Sequence, residues 1–506
     1  MNGSLLSTAR HVLPLTLALV FGLACVKAPP HDLDDINLET PEAWQQEDGP
    51  SPAAPPEELW WLTFDDSRLT EIVEHTLEAN YDLRAAVARI DQAVAAARIV
   101  SADLKPTVGV GVSGARQRQN FVGLPIPGNS TGVLNTTFTR YGASLDVFWE
   151  ADLWGRLRAR SRAALADVEA ITDDVEFARQ SLAAQAAKSW FAVVEARQQV
   201  ELAAGTVASR VESRDQVNAR YRMGLRPPLE LRLAESTLAD AQALEALRRS
   251  QLNGSVRQLE ILMGLYPAGT FLAADDGVTL PPPPPAIPAG LPADLLQRRP
   301  DLRAAANRVL AADQRTLSAK RALYPRLTLT ASGGTVTQQL QDLVQGDFKV
   351  WSLLGGLTQP LFQGGRLRAG IRQADAVGDE SLELYASSVL RAFAEVEITL
   401  ADEGWLQDQE AALAASTDQL AAAQRLALER YSNGVGDYLT VLESQSREFV
   451  ARSALLAVRR QRLTNRVDLY LALGGGFGQT IVDDDEINVP ESQARAEMPA
   501  VPGEDS

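Results

Sequence analysis

This chain is written twice. Residues 82–106 (DLRAAVARIDQAVAAARIVSADLKP) return as 301–325 (DLRAAANRVLAADQRTLSAKRALYP), with nine identities in 25 ungapped positions. Gly155-Arg156 returns as Gly365-Arg366, and Tyr221-x-x-Gly224 as Tyr431-x-x-Gly434, both 210 residues on. Three landmarks recur in one order, so the duplication spans nearly the whole mature chain. At 506 residues, two copies of one large unit are a simpler division than several unrelated domains. Such a chain is expected to build a pseudo-symmetric object.

The formal charge of −17 is concentrated at the ends: segment 26–62 nets −8 and segment 481–506 nets −7. The body is near neutral and offers no basic footprint for nucleic acid. The acidic ends read as solvated flanks. The N-terminus has the parts of a secretory signal: a polar stretch with Arg10, the 12-residue apolar run Val12–Leu23, then Ala24 and Cys25. That run is too short to span a bilayer. Cys25 is the sole cysteine, so no internal disulfide forms. Its position resembles the lipobox of bacterial lipoproteins, in which the cysteine is lipidated. Leu23 and Ala24 fit that pattern, and Gly22 departs from its usual leucine. The alternative is ordinary signal cleavage with an incidental cysteine. Val26 in place of Asp favours, by the same resemblance, the outer membrane. One acyl chain holds weakly, so a second membrane element is expected.

Most of the chain reads as long helix. Residues 153–222 lack proline, are rich in Ala, Arg, Glu and Gln, and space Leu165, Val168, Ile171, Val175, Ala178 and Leu182 by three and four. Some 70 residues of helix, about 100 Å, signal a coiled coil. Residues 366–430 repeat the pattern, and shorter partners are expected over 66–103, 228–264, 293–322 and 437–472. Between the short and long helix of each copy the period changes to two. Tyr141, Ala143, Leu145, Val147 and Trp149 alternate with Gly142, Ser144 and Asp146; Val108, Val110 and Val112 alternate with Gly109, Gly111 and Ser113; Leu327, Leu329 and Ala331 alternate with Thr328 and Thr330. A fourth strand is expected over 347–359. Ten-residue strands with one apolar face suit a membrane β-barrel. The loops 119–136 and 338–346 differ by nine residues, the same nine by which the repeat offset falls from 219 to 210. The run Pro281–Pro285, with Pro288 and Pro292, reads as a stiff spacer.

Together these motifs resemble the TolC-like outer membrane efflux family, in its lipoprotein branch. LPADLLQRRPDLRAAA (291–306) resembles that branch's central signature. DVFWEADLWGRLR (146–158) and LTQPLFQGGRLR (357–368) resemble its strand-to-helix junctions, and YRMGLRPPLEL (221–231) and YSNGVGDYLTVLESQ (431–445) its hairpin tips. The resemblance implies a homotrimer. Each protomer would give four strands to one 12-stranded outer-membrane barrel, continuous with a long periplasmic α-helical barrel. The fold class is thus mostly α with a membrane β-barrel. It divides into a lipoprotein signal peptide (1–24), an acidic extended segment (25–62), a first efflux repeat (63–280), a Pro-rich linker (281–292), a second repeat (293–478) and a disordered acidic tail (479–506).

Function is then expected at two places. The glycines of the tips allow the left-handed backbone that ends a helix. The resemblance adds that Gly224, Leu225, Gly434 and Val435 contact a periplasmic adaptor (membrane fusion) protein. Aligning on those glycines, it assigns the periplasmic gate to Leu439, Thr440 and Glu443, with Glu230 paired to Tyr431. Three Glu443 carboxylates near a threefold axis would attract cations. Enzyme chemistry lacks parts. The three histidines, at 11, 31 and 75, do not cluster, so no metal is expected and no cofactor. Gly109-x-Gly111-x-x-Gly114 lies in a strand with no helix after it, so it lacks the context of a dinucleotide site. The expected activity is a non-enzymatic duct exporting small toxic compounds, with an adaptor and a proton-driven inner-membrane pump as partners, lipid-anchored in the outer membrane. The alternative is a lipid-tethered periplasmic coiled-coil scaffold without a pore.

Overall fold

A computed structural model describes residues 31, 41, 43–45, 59–121, 134–271, 277–285, 287, 289–290 and 292–475. The signal segment, Cys25 and the tail from 479 lie outside the described residues. After a 3₁₀ turn at Trp60–Phe64, the first copy runs α1 (Ser67–Ala79), α2 (Tyr81–Ala102), β1 (Thr107–Phe121), β2 (Leu134–Ala151), α3 (Arg156–Arg222) and α4 (Pro228–Leu262). The second runs α5 (Pro292–Arg298), α6 (Pro300–Arg321), β3 (Arg326–Thr337), β4 (Lys349–Thr358), α7 (Arg366–Ser432) and α8 (Tyr438–Ala472). The longer helices match in length, α3 and α7 with 67 residues each, α4 and α8 with 35, α2 and α6 with 22, while the short entry helices differ, α1 with 13 and α5 with 7.

Two helices expected to be continuous are each broken once, at matching positions. Asn80 leaves the helix (ψ 128°) and caps α2 by accepting from Leu83 N, while its Nδ2 donates to Leu262 O at the end of α4. In copy two, Arg299 takes ψ 120° because Pro300 follows it, and a residue before proline is pushed out of the helical region. Arg299 is buried and donates to Glu395 (2.6 Å) and to Ala472 O. Helix ends elsewhere in the fold are therefore tied to both breaks.

The strands form one antiparallel sheet in the order β1-β2-β3-β4. Its register bears out the period-two reading for β1, β2 and β3, while β4 alternates less cleanly, with Val350 and Leu354 in the rows of Gly334 and Thr330. Val108, Val147, Ala331 and Leu353 stand in one row, and the next row, facing the other way, is Gly109, Asp146, Ser332 and Ser352. On the polar face, Ser144 and Ser332 hydroxyls donate to Asp146 at 2.7 and 2.6 Å. The apolar face is uncovered: Val110 is 79% and Leu353 70% exposed. The sequence places the nine extra residues of copy one in its loop. Instead the strands of copy one run on to Phe121 and resume at Leu134, whereas those of copy two end at Thr337 and resume at Lys349. The extra length goes mainly into a taller hairpin.

Where α1, α3 and α8 meet, Trp60, Trp61, Phe64, Trp190, Phe191 and Tyr470 form a buried aromatic core. A second core joins Trp44, Leu302, Phe393 and Leu469. The expectation of a solvated 25–62 flank is thus corrected for its described residues. The three tryptophans supply apolar surface that outweighs the segment's acidity; burying an aromatic of this size is worth about 2–3 kcal/mol. The described residues of the proline segment lie packed: Ile287 touches both cores and Pro285 O accepts from Arg466.

Candidate functional site at the hairpin tips

Each long helix ends in a two-bond reversal. Gly224 has φ +71° and Leu225 N donates to Arg220 O; Gly434 has φ +80° and Val435 N donates to Arg430 O. Nothing lies within 4 Å of a Cβ built on either glycine. The demand for glycine is conformational, worth about 1–2 kcal/mol for another residue. The two copies restart differently. Pro228 occupies the first position of α4, whereas Asp437 caps α8 by accepting from Thr440 N at 2.7 Å. Leu225 and Val435, 67% and 69% exposed, crown the tips.

Behind the tips the two copies are knotted together. Tyr431 is 1% exposed, and its hydroxyl donates to Glu230 Oε2 at 2.9 Å. The Arg220 and Arg226 guanidiniums each sit 4.9 Å from its ring centre, and the Tyr438 ring lies 5.4 Å away. Arg220 also donates to the carbonyls of Tyr431 (2.8 Å) and Ser432 (2.7 Å). Burial, then the hydrogen bond to Glu230 and its charge, push the Tyr431 hydroxyl up to about 12, against the opposing pull of the arginines. The phenol therefore stays a donor at every physiological pH.

This knot breaks the internal symmetry. At the 210-residue offset, Glu230 corresponds to Thr440, Arg226 to Gly436, and the buried Tyr431 to the half-exposed Tyr221. Copy one thus supplies acid and cations, and copy two the ring they hold. Sequence reading paired Glu230 with Tyr431 but missed Arg220 and Arg226. The absence of an arginine at position 436 was the available signal.

The remaining gate residues separate. Leu439 and Glu443 line a cleft of about 540 Å³ with Leu442 and Phe449 of α8, Asp240 of α4 and Arg210 of α3. Thr440 is not among its lining residues and serves the Asp437 cap. Glu443 is exposed and carries a partner unforeseen in the sequence, Arg447 one turn on at 2.6 Å. Its carboxylate is partly neutralised within its own helix. Leu233, at Glu443's place in copy one, packs against the knot's apolar cluster. Arg210, also missed, is buried; it donates to Gln445, whose Nε2 lies 3.3 Å from Ser213 Oγ, and burial lowers its pKa. No group of three or more His, Cys, Asp or Glu able to hold a metal occurs among the described residues.

The comparisons with known proteins fit this geometry. The family model for outer membrane efflux protein matches residues 72–265 and 291–475, one match per copy. The chain is 33% identical over 430 residues to the toluene efflux pump outer membrane protein TtgF of Pseudomonas putida, covering 85% of this chain and 87% of that one. It is 30% identical over 468 residues to the outer membrane protein OprJ of Pseudomonas aeruginosa, covering 92% and 95%. Among solved structures, the outer-membrane channel OprN superposes with a TM-score of 0.80 at 27% identity, over 90% of this chain and all of that one. The open-state MtrE outer membrane channel of Neisseria gonorrhoeae gives 0.76 at 27%, over 90% and 98%. With both copies matched and whole-length likeness to outer-membrane channels, this chain belongs to the outer membrane efflux protein family.

Proposed function

We propose that three copies of this chain close one 12-stranded barrel in the outer membrane and continue into a helical tunnel through which small toxic compounds leave the cell. The observation that carries this is the four-stranded sheet, apolar on one face and polar on the other, with no further strand on the free edge of β1 or β4 among the described residues. Lipid offers backbone edges no partners, so such a sheet must close with others. Symmetric copies are the simplest supply. The scaffold reading finds no support, because an uncovered apolar sheet face has no place in water.

The tips, with Leu225 and Val435 outermost, would meet the adaptor, and an inner-membrane pump, in our reading proton-driven, would supply the energy. Relatives named for toluene efflux favour organic solvents and comparable toxicants as cargo. Cys25 is proposed to carry the lipid. The Tyr431–Glu230 knot would hold the two hairpins of each protomer together, and its release would let the tunnel mouth widen. Purified protein in planar bilayers tests the reading. Discrete channel openings are expected; a membrane-associated protein that never conducts would be the scaffold instead.

A further inference from the structure

The outer hairpin of copy one carries cations where the cargo route has no use for them. Residues 113–145 contain three arginines and no carboxylate. Arg140 pairs with Ala115 on the polar face. Arg116 and Arg118 pair with Thr139 and Thr137, on the same face as Val108, Val110 and Val112. They therefore point outward, away from the lumen. Both are exposed, and neither has a carboxylate partner among the described residues.

Their height follows from the strand. Ala151 to Tyr141 on the apolar face is ten residues, about 33 Å along the strand and about 25 Å high at a barrel tilt, which is the height of an outer-membrane apolar band. Tyr141, with Trp351 a few residues lower on β4, supplies the aromatic border of such a band. Arg116 then stands about 5 Å and Arg118 about 10 Å above it. That is headgroup level, where Thr139 and Thr137 are their cross-strand partners. Arginine's planar fork matches phosphate oxygens in pairs.

We propose that Arg116 and Arg118 bind the phosphate groups of the outer leaflet's glycolipid and so seat the barrel at its proper depth. This rests on the barrel reading above. The competing occupant is protein: if β1 of one copy pairs with β4 of the next, Asp342 and Asp347 before β4 come to the same end of the sheet. The test uses full-length protein extracted from outer membranes, comparing wild type, R116Q/R118Q and D342N/D347N. Thermal protection of the trimer is titrated with bis-phosphorylated lipid A, dephosphorylated lipid A or free pyrophosphate. A cation near an anionic surface contributes about five-fold in affinity, so the double arginine variant is expected to need roughly thirty-fold more bis-phosphorylated lipid A. The dephosphorylated lipid and pyrophosphate should not separate it from wild type. Unchanged lipid affinity in the variant overturns the proposal. So does pyrophosphate acting as well as the lipid, or D342N/D347N weakening the trimer as R116Q/R118Q does. A wild type that forms no trimer in the outer membrane overturns the barrel reading, and this proposal with it.

Discussion

Replacing Tyr431 by Phe removes one hydroxyl and leaves the ring, its two flanking arginines and the Tyr438 contact in place. The lost bond is part-buried and its acceptor is a carboxylate, so it is worth about 1.5–3 kcal/mol, or roughly ten- to a hundred-fold in the balance between tied and released hairpins. Glu230 keeps Arg226 at 3.6 Å, which holds its charge compensated and keeps the loss near the lower end. In planar bilayers Tyr431→Phe should raise the open fraction of single channels by at least several-fold, with the trimer's melting temperature unchanged. The wild-type tie should not vary between pH 6 and 9. A tyrosine pushed up to about 12 is protonated throughout that range, and its contribution declines only as pH climbs from 10 towards 12. Gating that is identical in wild type and Tyr431→Phe, in intact trimers, would refute the idea that the knot restrains opening.

Other outcomes follow from neighbouring geometry. Gly434→Leu forces a branched side chain to φ +80° and should abolish export while trimers still reach the outer membrane; Gly434→Asn, which tolerates that conformation, should retain most export. Glu443→Ala leaves Arg447 without its 2.6 Å partner, so single-channel selectivity should swing from cations towards anions, and Arg447→Ala should shift it the opposite way. His31 bridges Asp313 (2.6 Å) and Asp379 (3.2 Å), and its bond to Asp313 raises its pKa above 6.5. The clamp should be fully present below that value and lost as pH rises through the raised one. Limited proteolysis of the N-terminal segment should therefore increase with pH in wild type and show no such dependence in His31→Ala.

Local periodicity carried far in this chain. The 3.5–3.6 pattern of 153–222 and the alternation at Val108–Val112 and Tyr141–Trp149 place the helices and strands because each element's own neighbours set its exposure. The two helix breaks were half legible. Pro300 marks one outright, but Asn80 looks like any polar helix residue until its donor finds Leu262 O. The knot was legible only through resemblance and internal asymmetry, since Arg220 and Tyr431 are 211 residues apart. Trp44, Trp60 and Trp61 were hidden by the acidic composition around them, although each is buried. Charge describes a segment's average, while three large aromatic rings decide where it lies.

In the barrel proposed above, the sheet edges of different copies pair. β1 and β4 of one chain are three strand spacings apart, about 14 Å, beyond the roughly 7 Å that a disulfide can bridge. With Cys25 the sole native cysteine, a cysteine introduced at Val108, Val110 or Val112 together with one at Trp351 or Leu353 can cross-link only between chains. Oxidation in outer membranes should convert at least one such pair to covalent dimers and trimers, with nothing larger, on a reducing-agent-free denaturing gel. Monomers from every pair, in membranes where the protein is inserted, would contradict a barrel shared by three chains.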